Sequence, residues 1–133
     1  FHRLGWLAEG EISYAGAGAE ARARLAAQVL HERWGERGAL RLDLIGVASV
    51  FGDDAGRYLA AQSAGDAHDV RLRVATRQPD RATAEHLMRE VTALYTCGPA
   101  GGGGVRTAMR ERLGTLSCFV PRERVPSRVA FVS

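Results

Sequence analysis

The chain has 133 residues, 46% of them hydrophobic, and a formal net charge of +3. That is the size of one domain with room for a real core, and no run of roughly 18 apolar residues is present to cross a membrane. All 18 basic residues are Arg; the absence of Lys excludes a Schiff-base amine and a P-loop lysine from this segment.

The pI near 9.4 invites a nucleic-acid reading. Against it, Arg stands in for Lys as the default surface cation, the usage of a GC-rich genome, and 15 acidic residues are interspersed with it. Nucleic acid is therefore not an expected partner. Cys97 and Cys118 follow no metal spacing, and His2, His31, His68 and His86 are scattered, so neither a metal nor a cofactor is expected. The opening FHRLGWLAEGE has no initiator Met and no signal-peptide layout. It reads as an internal or C-terminal part of a longer multidomain protein, whose remainder is the first expected partner.

In chain order, Trp6 to Tyr14 reads as a strand with Gly10, Ile12 and Tyr14 on one face and Glu9, Glu11 and Ser13 on the other. The loop AGAGA, Ala15 to Ala19, leads into a helix over Glu20 to Trp34, whose Ala23, Ala27, Leu30 and Trp34 form one stripe. Gly35 and Gly38 stop it. Leu40 to Val47 alternates as a second strand. A long polar connection, Ala48 to Asp69, reads as a loop or insertion. DVRLRVAT follows as the third strand, with Val70, Leu72 and Val74 opposite Arg71 and Arg73.

The second helix starts after Asp80, a good N-cap residue, and carries Ala84, Leu87, Met88, Val91, Leu94 and Tyr95 on its apolar face. Gly98-Pro99 ends it. Leu113 to Val120 alternates Leu116, Cys118 and Val120 against Thr115, Ser117 and Phe119 and reads as the last strand. Trp6, Trp34, His86 and Cys118 read as structural, His68 as a surface residue, and Cys97 as the more reactive thiol.

The order β-α-β-β-α-β gives an α+β, ferredoxin-like plan: a four-stranded antiparallel sheet with both helices on one face. The uncovered face then carries Arg41, Asp43, Arg71 and Arg73, either solvated or docked on a partner. The same plan brings AGAGA, the 48–69 connection and GPAGGGG to one rim, where Asp53, Asp54, Arg57, His68, Arg106, Thr107 and Arg110 are the polar candidates. Four consecutive glycines each lose conformational freedom on ordering. Gly101, Gly102, Gly103 and Gly104, with Arg106 and Thr107, are therefore the candidate substrate-binding residues, a backbone nest for a carboxylate, thioester oxygen or phosphate. The segment follows a helix, so it is not a Rossmann fingerprint.

GWLAEGEISYAG, LRLDLIGV, VRLRVAT and ALYTCGPAGGGGVR together resemble the acyclic terpene utilisation (AtuA-like) family, over Trp6 to about Val125. The resemblance places Glu9, Gly10, Glu11, Ser13 and Tyr14 on one family stretch, and Gly98, Pro99, Gly101 to Gly104 and Arg106 on its glycine motif. Cys97 departs from the polar residue expected there, and Phe51 to Ala67 departs in length. The resemblance implies a bacterial cytoplasmic protein of citronellol- and geraniol-type catabolism, a pathway of acyl-CoA intermediates. An acyl or acyl-CoA ligand is thus the expected small-molecule partner, and no catalytic residue is assigned. The competing expectation is an assembly domain packing on the rest of the protein or on a second subunit of a homo-oligomer.

Overall fold

A computed structural model describes residues 1–49, 57–61 and 63–132, the Leu59 side chain excepted. The elements are β1 (His2–Ala15), α1 (Ala19–Trp34), β2 (Leu40–Ile45), the one-turn α2 (Arg57–Ala61), β3 (Asp69–Gln78), α3 (Arg81–Cys97) and β4 (Gly102–Gly114), followed by a 3-10 turn at Arg122–Arg124. The sheet is antiparallel with order β2-β3-β1-β4, the ferredoxin-like arrangement expected from the β-α-β-β-α-β order.

The core lies between the sheet and its two long helices. Ala8, Ile12 and Tyr14 of β1, Leu42 and Leu44 of β2 and Val70, Leu72 and Val74 of β3 face inward. Against them α1 turns Ala19, Ala23, Ala26, Ala27, Leu30 and Trp34, and α3 turns Ala84, Leu87, Val91 and Leu94. The alanine stripe lets α1 lie close to the sheet. On β1, Gly10 does the same for α3, because a Cβ there would lie 2.7 Å from Val91 Cγ2. Asp80 caps α3, its Oδ1 accepting from the Thr83 amide at 2.8 Å.

Trp34 is core, its indole donating to the Gly38 carbonyl at 2.9 Å, and His86 stacks on it with centroids 6.1 Å apart. Arg33 joins the helices by pairing with Glu90 at 2.6 Å.

Several boundaries depart from the sequence reading. β1 begins at His2 rather than Trp6. β2 ends at Ile45, because Gly46 turns the chain at φ +102° and Leu44 O accepts from Val47 and Ala48. Tyr95 lies outside the buried stripe of α3 and is 64% exposed.

The largest departure is the last strand, which is Gly102–Gly114 and not Leu113 to Val120. Its register on β1 runs from Tyr14↔Gly102 to His2↔Gly114. Residues 115–120 lie past this last pair and extend freely, so Cys118 is exposed rather than a buried strand residue.

Candidate functional site

The rim is where the structure first tests the glycine segment. Gly98 closes α3, its amide donating to Leu94 O at 3.0 Å, and Gly101 turns the chain at φ +75°. Arg22, one turn into α1, ties this turn to AGAGA: its guanidinium donates to Ala100 O at 2.9 Å, Ala15 O at 2.8 Å, Ala17 O at 3.1 Å and Gly18 O at 3.3 Å. A side chain at Gly101 would meet Arg22 Nη1 at 2.6 Å.

The long connection joins the same rim. The Gly16 amide donates to His68 O at 2.8 Å. Glu20 is buried and accepts from the amides of Gly65 at 3.0 Å and Ala67 at 3.4 Å, while pairing with Arg24 at 2.8 Å. The Gly65 bond foremost, then Arg24 and Ala67, hold its carboxyl below the usual range against the opposing effect of burial. The three segments therefore converge as the topology requires. Arg22 and Glu20 are the residues that sequence reasoning missed. Their signal was a charged side chain in the first two turns of a helix flanked by glycine loops.

Tyr14 packs beside this rim, fully buried, with the Arg22 guanidinium 5.9 Å from its ring centroid. Its hydroxyl has no hydrogen-bond partner among the described residues. Burial raises its pKa, with Arg22 partly opposing. The glycines after the turn belong to β4. A Cβ on Gly102 would come within 2.8 Å of Ile12 Cδ1 and 3.2 Å of Tyr14 Cε1. Gly104, at φ +62°, sits in a bulge where the β1 register shifts between Glu11 and Ser13. Gly103, opposite Ser13, has open space where a side chain would be.

Arg106 lies beyond the bulge, opposite Glu11, and Thr107 opposite Gly10; Arg110, opposite Leu7, is well along the sheet and away from the rim. His68 is exposed, 3.4 Å from Asp66, and Arg57 lies in α2. Asp53 and Asp54 fall outside the described residues. Cys97 is exposed at the end of α3.

The uncovered sheet face is a lattice of charge. Across the sheet, one row reads Asp43, Arg73, Glu11, Arg106; the next reads Arg41, Ala75, Glu9, Ala108; the third reads Arg77, Leu7, Arg110. Ion pairs join neighbouring rows: Arg71 to Glu11 at 3.0 Å, Arg73 to Glu9 at 2.9 Å and Arg110 to Glu9 at 3.8 Å. Within β2, Arg41 holds Asp43 at 3.0 Å, and Asp43 is only 2% exposed. The two alanines leave hollows on either side of Glu9. One, about 620 Å³, is walled by Arg106, Thr107, Arg110 and Glu11. The other, about 530 Å³, is walled by Arg41, Arg73, Arg77 and Arg110. The guanidinium groups of Arg106 and Arg77 have no ion pair or hydrogen bond among the described residues.

Among the described residues no three His, Cys, Asp or Glu side chains gather as a metal site, and no helix is long and apolar enough to cross a membrane. Neither the curated proteins nor the solved structures contain a match to this chain. A family model does match, that of the acyclic terpene utilisation family protein AtuA, over residues 1–131. With nearly its whole length covered, the chain belongs to the acyclic terpene utilisation (AtuA) family.

Proposed function

We propose that this chain is a domain of a cytoplasmic bacterial protein of citronellol- and geraniol-type catabolism, and that it contributes part of the site for an acyl ligand, free or as its CoA thioester. Gly101 to Gly104 shape the approach and Arg106 makes the polar contact. Family membership supports the terpene assignment. The observation that carries the site is Arg106: an exposed guanidinium, without an ion-pair partner among the described residues, beside a hollow and two residues beyond a glycine bulge. A carboxylate or thioester oxygen accepts from such a group, whereas Thr107, opposite Gly10, belongs to the α3 side of the sheet and adds no hydroxyl donor on this face. Gly103 leaves the backbone open next to it.

Chemically this is a binding arrangement: it orients an acyl oxygen and supplies positive charge to it. The test is binding of the carboxylic acid derived from citronellol, and of its CoA thioester, to the full-length protein. Arg106→Ala weakens binding by about tenfold or more, the loss of one charge-assisted contact, and leaves thermal unfolding unchanged. Binding that is indifferent to Arg106→Ala overturns the proposal.

A second reading is favoured by the segment after β4. Leu116 and Val129 are 82% and 80% exposed, and Phe119, Phe131 and Val132 almost wholly so. Exposed apolar side chains in such number suit an arm that packs on the remainder of the protein or on a neighbouring subunit. Under this reading Leu116→Asp with Phe119→Asp changes the oligomeric state in light scattering, while Gly103→Ala does not. An unchanged assembly rules it out.

A further inference from the structure

The hollow over Ala75 has a charge surplus that the acyl site does not use. Its floor is Ala75, opposite Arg41 on one side and Glu9 on the other. Four guanidinium-bearing residues wall it, Arg41, Arg73, Arg77 and Arg110, with Glu9 as the one carboxylate. Arg41 is matched by Asp43 and Arg73 by Glu9. Arg110 shares Glu9 only at 3.8 Å, and Arg77 has no ion-pair partner among the described residues. Two positive charges are thus left uncompensated on one concave surface.

We propose that this hollow binds a small phosphoryl-bearing dianion, a phosphate monoester or diphosphate group, with Arg77 and Arg110 as its direct ligands. A dianion matches the surplus, where a single carboxylate would leave one guanidinium uncompensated. Phosphoryl oxygens suit the paired N–H donors of guanidinium groups. The flanking residues decide against an RNA strand. A sheet that binds RNA stacks bases on aromatic side chains, and the rows crossing this hollow hold Leu7, Ala75 and Ala108 instead. The small floor makes room for the anion between the strands. The Arg73–Glu9 and Arg41–Asp43 pairs hold the walls in place before the ligand arrives. The site adjoins the acyl site and shares its Arg110 wall, but Arg77 lines only this hollow and Arg106 only the other, so the two are separable by Arg77→Ala and Arg106→Ala.

The experiment is calorimetric titration of the protein with inorganic pyrophosphate, alongside acetate and a short single-stranded RNA. One saturable site for pyrophosphate is expected, tighter than either comparison ligand. Arg77→Ala weakens it about tenfold or more, the loss of one charge-assisted contact. Ala75→Leu fills the floor without altering charge and weakens binding comparably. Arg106→Ala leaves pyrophosphate affinity within about threefold, because it lies outside the ring of direct ligands and acts only through screened long-range attraction. Thermal unfolding of each variant matches the parent protein. Absence of a saturable site overturns the proposal. So does tighter binding of the RNA, an Ala75→Leu variant that binds like the parent, or equal losses in Arg77→Ala and Arg106→Ala.

Discussion

At the scale of single residues, the glycine run divides into positions with different reasons for being glycine. Gly101 and Gly104 have positive φ, and Gly102 lies against Ile12 and Tyr14, so these three are required by the fold. Gly103 alone has open space around it and a φ that suits other residues. Gly102→Ala therefore destabilises by about 1–3 kcal/mol, the range for overpacking, whereas Gly103→Ala is neutral or stabilises by less than about 1 kcal/mol. Chemical denaturation checks both, and equal losses would show that the run is uniformly constrained.

Tyr14→Phe removes a buried hydroxyl without a described partner, so stability is unchanged or raised. A loss above about 1 kcal/mol would mean that the hydroxyl is hydrogen-bonded.

Glu20 gives the pH dependence. Folding lowers its pKa from the ordinary 4.5. Its stabilisation is thus complete above pH 4.5 and lost as pH falls through the lower folded value. Glu20→Gln costs about 1.5–3 kcal/mol at neutral pH, the range for hydrogen bonds to a charged group. Its melting temperature converges on that of the parent protein as the pH drops below 4.5. A constant gap across that window contradicts the assignment. Asp80, also lowered by its Thr83 cap, is present in both proteins and cancels in the comparison.

At the scale of elements, the sequence spoke clearly where one face of a strand or helix is buried and the other wet. The stripe Ala23, Ala27, Leu30, Trp34 and the alternation in β3 both lie inward as their periods require. It misled where backbone geometry, not side-chain pattern, makes the strand. β4 opens on glycines, which have poor β propensity, yet Gly102 pairs with Tyr14 because only a missing side chain fits beside that ring. The opposite error came from Leu113 to Val120, whose alternation is regular but which leaves the β1 register after Gly114. Periodicity reports that a segment suits a sheet; it does not supply the neighbouring strand.

The rim shows a further limit. Topology brought the loops together, but that Arg22 would spend its guanidinium on four backbone carbonyls depends on three-dimensional distances. Arg22→Ala frees the turn at Ala100 from AGAGA and lowers stability by about 1–2 kcal/mol, less than four full hydrogen bonds because the group is partly solvated. Hydrogen exchange would rise first at Gly16 to Gly18 and Gly101. Uniform exchange across the sheet would instead indicate global destabilisation.

At the scale of the whole molecule, a helix-covered sheet leaves its other face to carry function. Of the residues singled out in the sequence for a site, the structure separates those at the rim from those on the face. Gly101 is fixed by the Arg22 tie, while Arg106 and Thr107 stand beside the Ala108 hollow. The basic character of the chain, ambiguous in composition, becomes specific here, because among the described residues the acidic side chains pair with some arginines of the face and leave Arg77 and Arg106 without an ion pair. Membership of the acyclic terpene utilisation family gives the chain a metabolic setting. The most direct test is a structure of the full-length protein bound to the CoA thioester of the citronellol-derived acid. The account predicts the acyl carbonyl within hydrogen-bonding distance of the Arg106 guanidinium, above Ala108. An acyl group held elsewhere, with Arg106 free in solvent, would contradict it.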